Sequence, residues 1–350
     1  DVGERWKEFQ GIRNWEGMLD PLDDGLRDEI LRYGEFVEAA YRCFESDAAP
    51  PCGDGGLRMN GYKLTRSVHA TCGIQLPNLT DRIPQWMSSW IGYVAVCDDA
   101  DEIARLGRRD VVVAYRGTST CMEWLENLRA TLTCLPSEMS SVSGSKVQSG
   151  FLSLYTSSTP EKPSLQTSVK EEINRILRKY AGEPLSITIT GHSLGAALAT
   201  LTAYDIATTV ENPPLVTVVS FGGPRVGNKT FRRQLEKTAV KVLRIVNSDD
   251  PITKVPGFVL EDGGAAAEKT RTPRSQSTAM LKWLHRRAEE AQLVYAEIGE
   301  ELRLSSNDSP YLNNPSVATC HDLKTYLHLV DNFVSSNCPI RATAKMVLEK

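Results

Sequence analysis

The chain has 350 residues, of which 41% are hydrophobic and 24% charged, a composition typical of a globular protein that buries a sizeable core. Its 40 Lys and Arg residues nearly balance its 44 Asp and Glu residues, and no long block of one sign is present to attract nucleic acid. No uninterrupted apolar run approaches the roughly 18 residues of a membrane-spanning helix. These features argue against a nucleic-acid partner and predict that any contact with a membrane is made from its surface.

Neither end of the chain nor its cysteines indicate a cellular compartment. The first residue is Asp1 rather than Met, so the sequence alone reports no cellular address. The eight cysteines show no paired CxxC spacing and are sparse for a chain of this length. We interpret most of them as small apolar fillers, with an occasional disulfide as the alternative.

The first half of the chain contains two predicted helices and two predicted strands. Apolar residues three and four apart predict an amphipathic helix from Arg27 to Phe44. Two β-rich runs follow, Trp90 to Val96 and Val111 to Tyr115, and the acidic, glycine-containing turn between them favours a hairpin. Helical spacing returns from Leu165 to Tyr180, where a nearby glycine and proline end the helix.

The middle of the chain alternates strands and helices. A strand predicted from Leu185 to Thr190 leads through a tight turn into an alanine-rich helix from Leu194 to about Ala207. Two more β-rich runs, Leu215 to Phe221 and Lys241 to Val246, are separated by a helix predicted around Thr230 to Lys237. This order predicts an α/β fold with a mainly parallel central sheet flanked by helices.

The last third of the chain interrupts this pattern. A segment over about residues 261–280 lacks apolar periodicity and is predicted to be a surface insertion. Apolar residues at helical spacing then run from Leu284 to Leu302, and a last helix is predicted from about His321 to Val334. We expect one domain over residues 1–350, with a helical extension over about residues 1–80.

The predicted strand-to-helix turn carries the pattern G-x-S-x-G, as Gly191-His192-Ser193-Leu194-Gly195. In this motif the serine sits on a sharp, strained turn, where a side chain at either glycine would collide with the neighbouring strand or helix. A hydroxyl presented there at a helix N-terminus is a candidate nucleophile. The alternative is a glycine-flanked turn whose serine has no chemical role.

A serine hydroxyl is a poor nucleophile at neutral pH and needs a histidine base, which a buried carboxylate orients. Folds with this turn place the three residues in the order Ser, Asp, His along the chain, which argues against His69. His192 lies within the turn itself, and His285 lies in a charged, helix-periodic stretch typical of a solvated surface. His328 lies inside the last predicted helix, where a packing role is expected. We therefore predict His321, at the start of that helix, as the base.

The carboxylate and the oxyanion donors are predicted at strand ends. The β-rich run that ends at Val246 is followed by an acidic turn, and we choose Asp250 in it, although a strand-end aspartate is more often only a turn residue. The backbone N–H of Leu194, directly after the candidate nucleophile, is one predicted oxyanion donor. Thr118, after the strand ending at Tyr115, is the other, with an ordinary Gly-Thr turn as the alternative.

Long motifs give the chain a family resemblance. Together with the G-x-S-x-G turn, the stretches Phe221–Asn228 and Asp250–Pro256 resemble the lipase class 3 family of α/β-hydrolases. More narrowly, Trp6–Gly11, Arg32–Phe36 and Tyr326–Asp331 resemble plant class I phospholipases A1, the anther-dehiscence type of acyl hydrolase. The narrower match covers nearly the whole chain.

This resemblance implies an α/β-hydrolase fold and hydrolysis of the sn-1 acyl ester of glycerolipids, phospholipid or galactolipid, at a membrane or micelle surface. It implies neither a metal nor another cofactor. It assigns the nucleophile to Ser193, the acid to Asp250, the base to His321 and an oxyanion donor to Thr118. Because relatives of this type are often plastidial, it also implies a plastid, or chloroplast, location.

The resemblance further suggests a lid over the acyl groove, at about residues 119–135. Its apolar face would consist of Met122, Trp124, Leu125 and Leu128. Without the resemblance, a surface helix that packs these residues on the core explains the pattern equally well.

Two other functions stay open at this point. A general carboxylesterase would use the same three residues on small esters without needing a lid, and its preferred acyl chain length would identify it. A catalytically silent, lipase-like scaffold is the second alternative. The presence of all three candidate catalytic residues argues against that scaffold.

Overall fold

A computed structural model describes most of the chain, namely residues 2–45, 61–72, 87–118, 131–140, 142–256, 295–312 and 315–338. Several sequence predictions lie outside these residues. They are the insertion at 261–280, His285, and the lid side chains Met122, Trp124, Leu125 and Leu128.

Eleven strands of the described chain form two sheets. The central sheet has the strand order β1-β2-β3-β6-β7-β9-β11, and its last five strands run parallel. Its strands are β1 (Tyr62–Cys72), β2 (Met87–Cys97), β3 (Arg109–Tyr115), β6 (Leu185–His192), β7 (Leu215–Phe221), β9 (Lys241–Asn247) and β11 (Glu300–Leu304). A small antiparallel sheet contains β4 (Leu132–Cys134), β5 (Lys146–Gln148), β8 (Gly227–Asn228) and β10 (Tyr295–Ala296). The mainly parallel central sheet confirms the predicted fold class.

Helices cover both faces of the central sheet. They are α1 (Val2–Phe9), α2 (Asp24–Glu45), α3 (Ala100–Leu106), α4 (Ser149–Thr156), α5 (Leu165–Lys179), α6 (Leu194–Thr209), α7 (Lys229–Lys237), α8 (Val317–His321) and α9 (Leu323–Asn332). Side chains alternate along each strand. In β3, Val112 and Ala114 pack in the cluster that includes α1, α2 and α9, whereas Val111 and Val113 pack in the cluster that includes α4 to α7. The result is a helix–sheet–helix sandwich with a core on each side.

Helix α6 is buried on every side over its first thirteen residues, Leu194–Ile206. A helix that is apolar all round belongs in a protein core rather than on its surface. Its alanines, among them Ala196, Ala197 and Ala199, allow neighbouring elements to approach closely. Because β6 ends where α6 begins, the turn between them is held between a central strand and a core helix.

The structure corrects one prediction about the N-terminal part of the chain and adds a helix to another. The predicted helical extension over residues 1–80 ends sooner, because β1 (Tyr62–Cys72) pairs antiparallel with β2 at the edge of the sheet. The hairpin between β2 and β3 is antiparallel as predicted, but its connection contains α3. Asp99 caps the N-terminus of α3 by accepting from the N–H of Glu102, and Gly107 ends it with φ of 67°.

The helix predicted up to Leu302 is wrong over its described end. Tyr295–Ala296 and Glu300–Leu304 are strands β10 and β11. Leu302 and Leu304 are both buried, two residues apart, as in a strand with one face on the core. Ile298 lies between the two strands and packs in the other core cluster from Leu302, so their spacing of four does not mark one helical face.

A buried polar network lies at the amino-terminal ends of β3 and β6. Its centre is Asp110, which is fully buried and accepts hydrogen bonds from Tyr33 at 3.0 Å, Tyr62 at 2.9 Å and Ser186 at 2.8 Å. Burial alone would raise the pKa of Asp110, but the guanidinium groups of Arg108 and Arg32 outweigh this and lower it. The network joins α2 to the sheet, since Arg32 and Tyr33 belong to that helix.

Helix α2 also contacts the end of the described chain. The guanidinium of Arg27 donates to the backbone carbonyls of Val330 at 2.7 Å and of Phe333. These carbonyls belong to the last turn of α9, whose final carbonyls have no acceptor role within the helix. The contact fixes α9, and α8 directly before it, against the N-terminal part of the fold.

Within the residues that the structure describes, no helix combines the length and apolar character needed to cross a bilayer. The cysteines Cys43, Cys97 and Cys320 are buried, as predicted for apolar fillers, and Cys97 and Cys320 are free thiols. Cys134, which is exposed, and Cys338, which is half-buried, are also free.

Candidate active site

Ser193 occupies a strained turn between β6 and α6. Its φ of 57° and ψ of −125° are unusual for a residue with a side chain. A side chain on Gly191 would run into the backbone of Gly195, and one on Gly195 would lie 2.6 Å from the carbonyl oxygen of Tyr115. The two glycines therefore permit the turn for the steric reason that the sequence indicated.

The turn brings the hydroxyl of Ser193 to two residues from other parts of the chain. The Oγ of Ser193 lies 2.9 Å from Nε2 of His321, and Nδ1 of His321 lies 2.7 Å from Oδ2 of Asp250. All three are buried, with exposed fractions of 1% for Ser193, 7% for His321 and 0% for Asp250. Residues 57 and 71 positions apart thus form one hydrogen-bonded series at the carboxyl edge of the parallel strands.

The chemistry of the groups sets the direction of each bond. An ionised carboxylate only accepts, so Nδ1 of His321 carries the proton that it donates to Asp250. The lone pair of Nε2 then faces the hydroxyl of Ser193. This arrangement can remove the proton from the serine as its oxygen attacks an electrophile, and the carboxylate stabilises the imidazolium that forms.

The Asp250 carboxylate is held by three donors. Besides His321, the hydroxyl of Tyr326 donates to Oδ2 at 2.7 Å and the backbone N–H of Ile252 donates to Oδ1 at 2.9 Å. Burial, and after it the charge of Asp250, raises the pKa of Tyr326 well above its ordinary value, so the phenol stays protonated and donates. Asp249 instead binds Ser305 and Asn307 and does not belong to this series.

His321 lies at a junction between two helices rather than at the start of one. It is the last residue of α8, and Asp322 then caps α9 by accepting from the N–H of Lys324. The sequence placed His321 at the beginning of a single final helix, and Asp322 is the residue that interrupts that helix. The junction lets the ring of His321 reach the turn at Ser193.

The predicted oxyanion donors flank the serine. The N–H of Leu194 belongs to the first turn of α6, where backbone N–H groups have no acceptor within the helix. Thr118 follows the end of β3, and its buried Oγ1 has no hydrogen-bond partner among the described residues. Its neighbour Gly117 adjoins the serine, since a side chain on Gly117 would lie 3.0 Å from Cβ of Ser193. The unpartnered hydroxyl of Thr118, one residue from Gly117, is available to bind a developing negative charge, as its predicted oxyanion role requires.

The other described histidines have different partners. His328 in α9 binds Ser309 at 3.1 Å and lies 3.3 Å from the amide of Asn332, as expected of a packing residue. His69 lies in β1, where burial lowers its pKa. His192 binds Tyr41 through Nδ1 and the backbone carbonyl of His321 through Nε2.

The sequence did not predict the roles of Tyr41 and Tyr326 at this site. Each comes from a helix and reaches the site through one hydroxyl group, and no local motif marks such a contact. The family-derived lid stays a prediction, since residues 119–130 are not described. Its predicted last part, Leu132–Cys134, is strand β4 of the small sheet.

Comparison with known proteins agrees with this fold. The sequence profile of the family Lipase (class 3) matches residues 112–260. The chloroplastic phospholipase A(1) DAD1 of Arabidopsis thaliana is 58% identical over 100% of this chain and 81% of its own length. The chloroplastic galactolipase DONGLE of the same plant is 38% identical over 93% of this chain and 69% of its own length.

Among solved structures, a Rhizomucor miehei lipase propeptide complex superposes with a TM-score of 0.51, covering 88% of this chain and 78% of that one. At 19% sequence identity this likeness concerns the fold. The full-length match at 58% identity supports a closer relationship. The chain therefore belongs to the lipase class 3 family of α/β-hydrolases, within its plant phospholipase A1 group.

Proposed function

We propose that this chain is a serine acyl hydrolase that releases the sn-1 fatty acid from glycerolipids. The observation that carries the proposal is the hydrogen-bonded series of Asp250, His321 and Ser193, with distances of 2.7 and 2.9 Å. The names of two relatives, phospholipase A(1) and galactolipase, refer to lipids that differ in headgroup and share a glycerol-bound acyl ester. That ester defines the proposed substrate class.

In the first half of the reaction, Oγ of Ser193 attacks the ester carbonyl while Nε2 of His321 takes the hydroxyl proton. Asp250 stabilises the imidazolium, and the N–H of Leu194 together with Thr118 binds the oxyanion. The tetrahedral intermediate then collapses. His321 returns the proton to the glycerol oxygen, so a lysolipid leaves and the acyl group stays on Ser193.

In the second half, water replaces the lysolipid. His321 takes a proton from this water as its oxygen attacks the acyl-enzyme, and the same donors bind the second oxyanion. The bond to Ser193 Oγ breaks, the serine recovers its proton from His321, and the fatty acid leaves. These steps consume one water molecule per ester and use only residues of this chain.

The proposed setting is a membrane or micelle surface in a plastid. Glycerolipids with two acyl chains are presented to an enzyme at such surfaces rather than as single molecules in water. The location is supported by the names of both relatives described above, which carry the word chloroplastic.

The test is release of fatty acid and lysolipid from phosphatidylcholine and monogalactosyldiacylglycerol that carry different sn-1 and sn-2 chains. The matched control lipid has an ether link at sn-1 and an ester at sn-2. We expect loss of the sn-1 chain from the diesters, no release from the ether lipid, and no turnover by a folded Ser193→Ala variant.

Other outcomes contradict parts of the proposal. Release from the ether lipid would replace sn-1 with sn-2 selectivity. Cleavage of short-chain esters without lipid cleavage would indicate a general carboxylesterase. Turnover that survives Ser193→Ala would remove the serine from the mechanism, and silence on every ester would indicate a catalytically silent scaffold.

A further inference from the structure

Tyr41 extends the active site into the N-terminal helix α2. Its hydroxyl lies 2.8 Å from Nδ1 of His192 and accepts a hydrogen bond from the backbone N–H of Gly117, also at 2.8 Å. Gly117 directly precedes the proposed oxyanion donor Thr118. A side chain on Gly117 would lie 2.5 Å from the Tyr41 hydroxyl, so glycine is needed for this contact.

His192 continues the series towards the proposed base. Its Nε2 lies 2.7 Å from the backbone carbonyl oxygen of His321, and the two imidazole rings have centroids 4.7 Å apart. Burial, and after it the charge that His321 can carry, holds the pKa of His192 well below its ordinary value. His192 is therefore neutral when His321 takes up a proton, which avoids repulsion between two neighbouring imidazolium rings.

These contacts admit one direction of proton donation. A carbonyl only accepts, so Nε2 of His192 carries the proton and Nδ1 presents a lone pair. The hydroxyl of Tyr41 donates to that lone pair, and its oxygen accepts from the N–H of Gly117. The series runs without a mismatch from Gly117 through Tyr41 and His192 to the backbone of His321.

We propose that Tyr41 is a positioning residue for the hydrolytic reaction. It acts through Gly117 on the proposed oxyanion donor Thr118 and through His192 on the backbone of His321. The inference rests on the proposed function, because it assigns roles to Thr118 and His321. Gly117 and His192 are far apart in the sequence, and the hydroxyl of Tyr41 binds both and so fixes their relative positions. A shift of either by a fraction of an ångström weakens transition-state binding more than substrate binding.

Tyr41→Phe removes that hydroxyl and keeps the ring. The matched control is Tyr93→Phe, because the hydroxyl of Tyr93 also binds α2, donating to the carbonyl of Phe36 at 2.8 Å. We expect Tyr41→Phe to lower kcat roughly 10- to 100-fold with little change in KM, and Tyr93→Phe to leave both unchanged. Both variants are compared for thermal midpoint.

Two further measurements do not need a lipid substrate. The rate at which a fluorophosphonate probe reacts with Ser193 should fall in Tyr41→Phe by a similar factor. Nitrogen NMR of histidine-labelled protein should show His192 protonated at Nε2 in both proteins, because the carbonyl of His321 still accepts there. The Nδ1 chemical shift should change in Tyr41→Phe, because that lone pair loses its hydroxyl donor. His192→Gln should lower kcat as well, and the double variant should lose less than the product of the two single effects.

The outcomes separate this inference from the proposed function. If the parent chain cleaves lipids and Tyr41→Phe matches it in kcat, probe rate and Nδ1 chemical shift, the inference is wrong and the function stands. Equal losses in Tyr41→Phe and Tyr93→Phe, in proportion to their thermal midpoints, would also overturn it, because they would indicate a purely structural role. If the parent chain cleaves no ester, the probe rate still decides whether Tyr41 sets the geometry at Ser193, and the Nδ1 chemical shift decides whether its hydroxyl binds His192.

Discussion

Two buried aspartates lie at opposite edges of the parallel part of the central sheet. Asp110 lies near the amino end of β3, and Asp250 follows the carboxyl end of β9. Both are fully buried, and each accepts hydrogen bonds from a tyrosine hydroxyl. In composition the two sites are alike, but they differ in the groups that compensate the negative charge.

Around Asp110, the positive and negative charges of the buried network balance. Arg32 lies 2.7 Å from Glu29 and 3.2 Å from Asp110, and Arg108 lies 3.4 Å from Glu29. Two guanidinium groups thus compensate two carboxylates, and an arginine keeps its charge at any pH that a protein experiences. Such a site has no proton to give or take.

Around Asp250, the hydrogen-bond partners described above include no permanently charged cation. The side-chain partners of Asp250 are the hydroxyl of Tyr326 and the imidazole of His321, which can be neutral or charged. The carboxylate is therefore compensated only when His321 takes up a proton, as the proposed reaction requires of it. The comparison teaches that a buried carboxylate serves structure when its cation is permanent, and chemistry when its cation can form and disappear.

The largest expected effect comes from Asp250→Asn. Loss of the carboxylate removes the charge that stabilises the imidazolium and the acceptor that selects its tautomer, so kcat should fall roughly 10⁴-fold. Folding should be nearly unchanged because asparagine has the same size. Steady-state release of fatty acid measures the loss, and Asp249→Asn is the neighbouring control, with activity close to that of the parent chain. Similar losses in both variants would contradict the assignment of Asp250.

The same substitution at the other end should act on stability instead. Asp110→Asn leaves two buried guanidinium groups with one carboxylate, which should lower the free energy of unfolding by about 3 to 5 kcal/mol. Urea unfolding measures this change, and kcat per folded molecule should stay near that of the parent chain. A fall in kcat comparable to that of Asp250→Asn would break the comparison.

Removing one tyrosine hydroxyl from each site gives a smaller, sharper contrast. Tyr326→Phe takes one donor from the carboxylate of Asp250 and should lower kcat roughly tenfold, because a hydrogen bond to a charged group is worth about 1.5 to 3 kcal/mol. Tyr33→Phe takes one donor from Asp110 and should lower the unfolding free energy without changing kcat. The paired kcat values and unfolding curves decide between the two roles, and an unchanged kcat in Tyr326→Phe would remove that residue from the site.

The smallest effect concerns pH. Burial, and after it His321, lowers the pKa of His192, so below about pH 6.5 the unfolded chain takes up a proton that the folded chain refuses. The free energy of unfolding should therefore fall with decreasing pH by up to about 1.4 kcal/mol per unit from this residue, with no contribution at higher pH. Urea unfolding between pH 5 and 8 should show a shallower slope for His192→Gln. Parallel slopes would show that His192 does not resist protonation.

Local features made much of this molecule predictable. The strands β6 and β7, the buried helix α6 and the turn at Ser193 follow from apolar runs and two glycines, whose steric roles depend on neighbours within a few residues. Asp250 and His321 required in addition the chain order and the strand ends. Their hydrogen bonds to one another agree with the choice made from sequence.

Other features depend on contacts that no local pattern records. Tyr41 and His192 are 151 positions apart, and Tyr326 and Asp250 are 76 positions apart. The helix predicted around Ile298 failed because Ile298 and Leu302, four apart, pack in different core clusters, and the strand Glu300–Leu304 depends on pairing with β9. Likewise, β1 exists because β2 offers it an edge, which residues 62–72 alone do not reveal.

The hydrogen bonds from Arg27 to the carbonyls at the end of α9 have a consequence for synthesis on the ribosome. The serine turn and its strand are made first, whereas His321 and the helix that Arg27 holds are among the later residues to emerge. Chains fold from the N-terminus as they are made, so the growing chain has its nucleophile more than a hundred residues before its base. The proposed catalytic residues thus come together only when the early and late parts of the chain contact one another, and a nascent chain interrupted before that point lacks the proposed base.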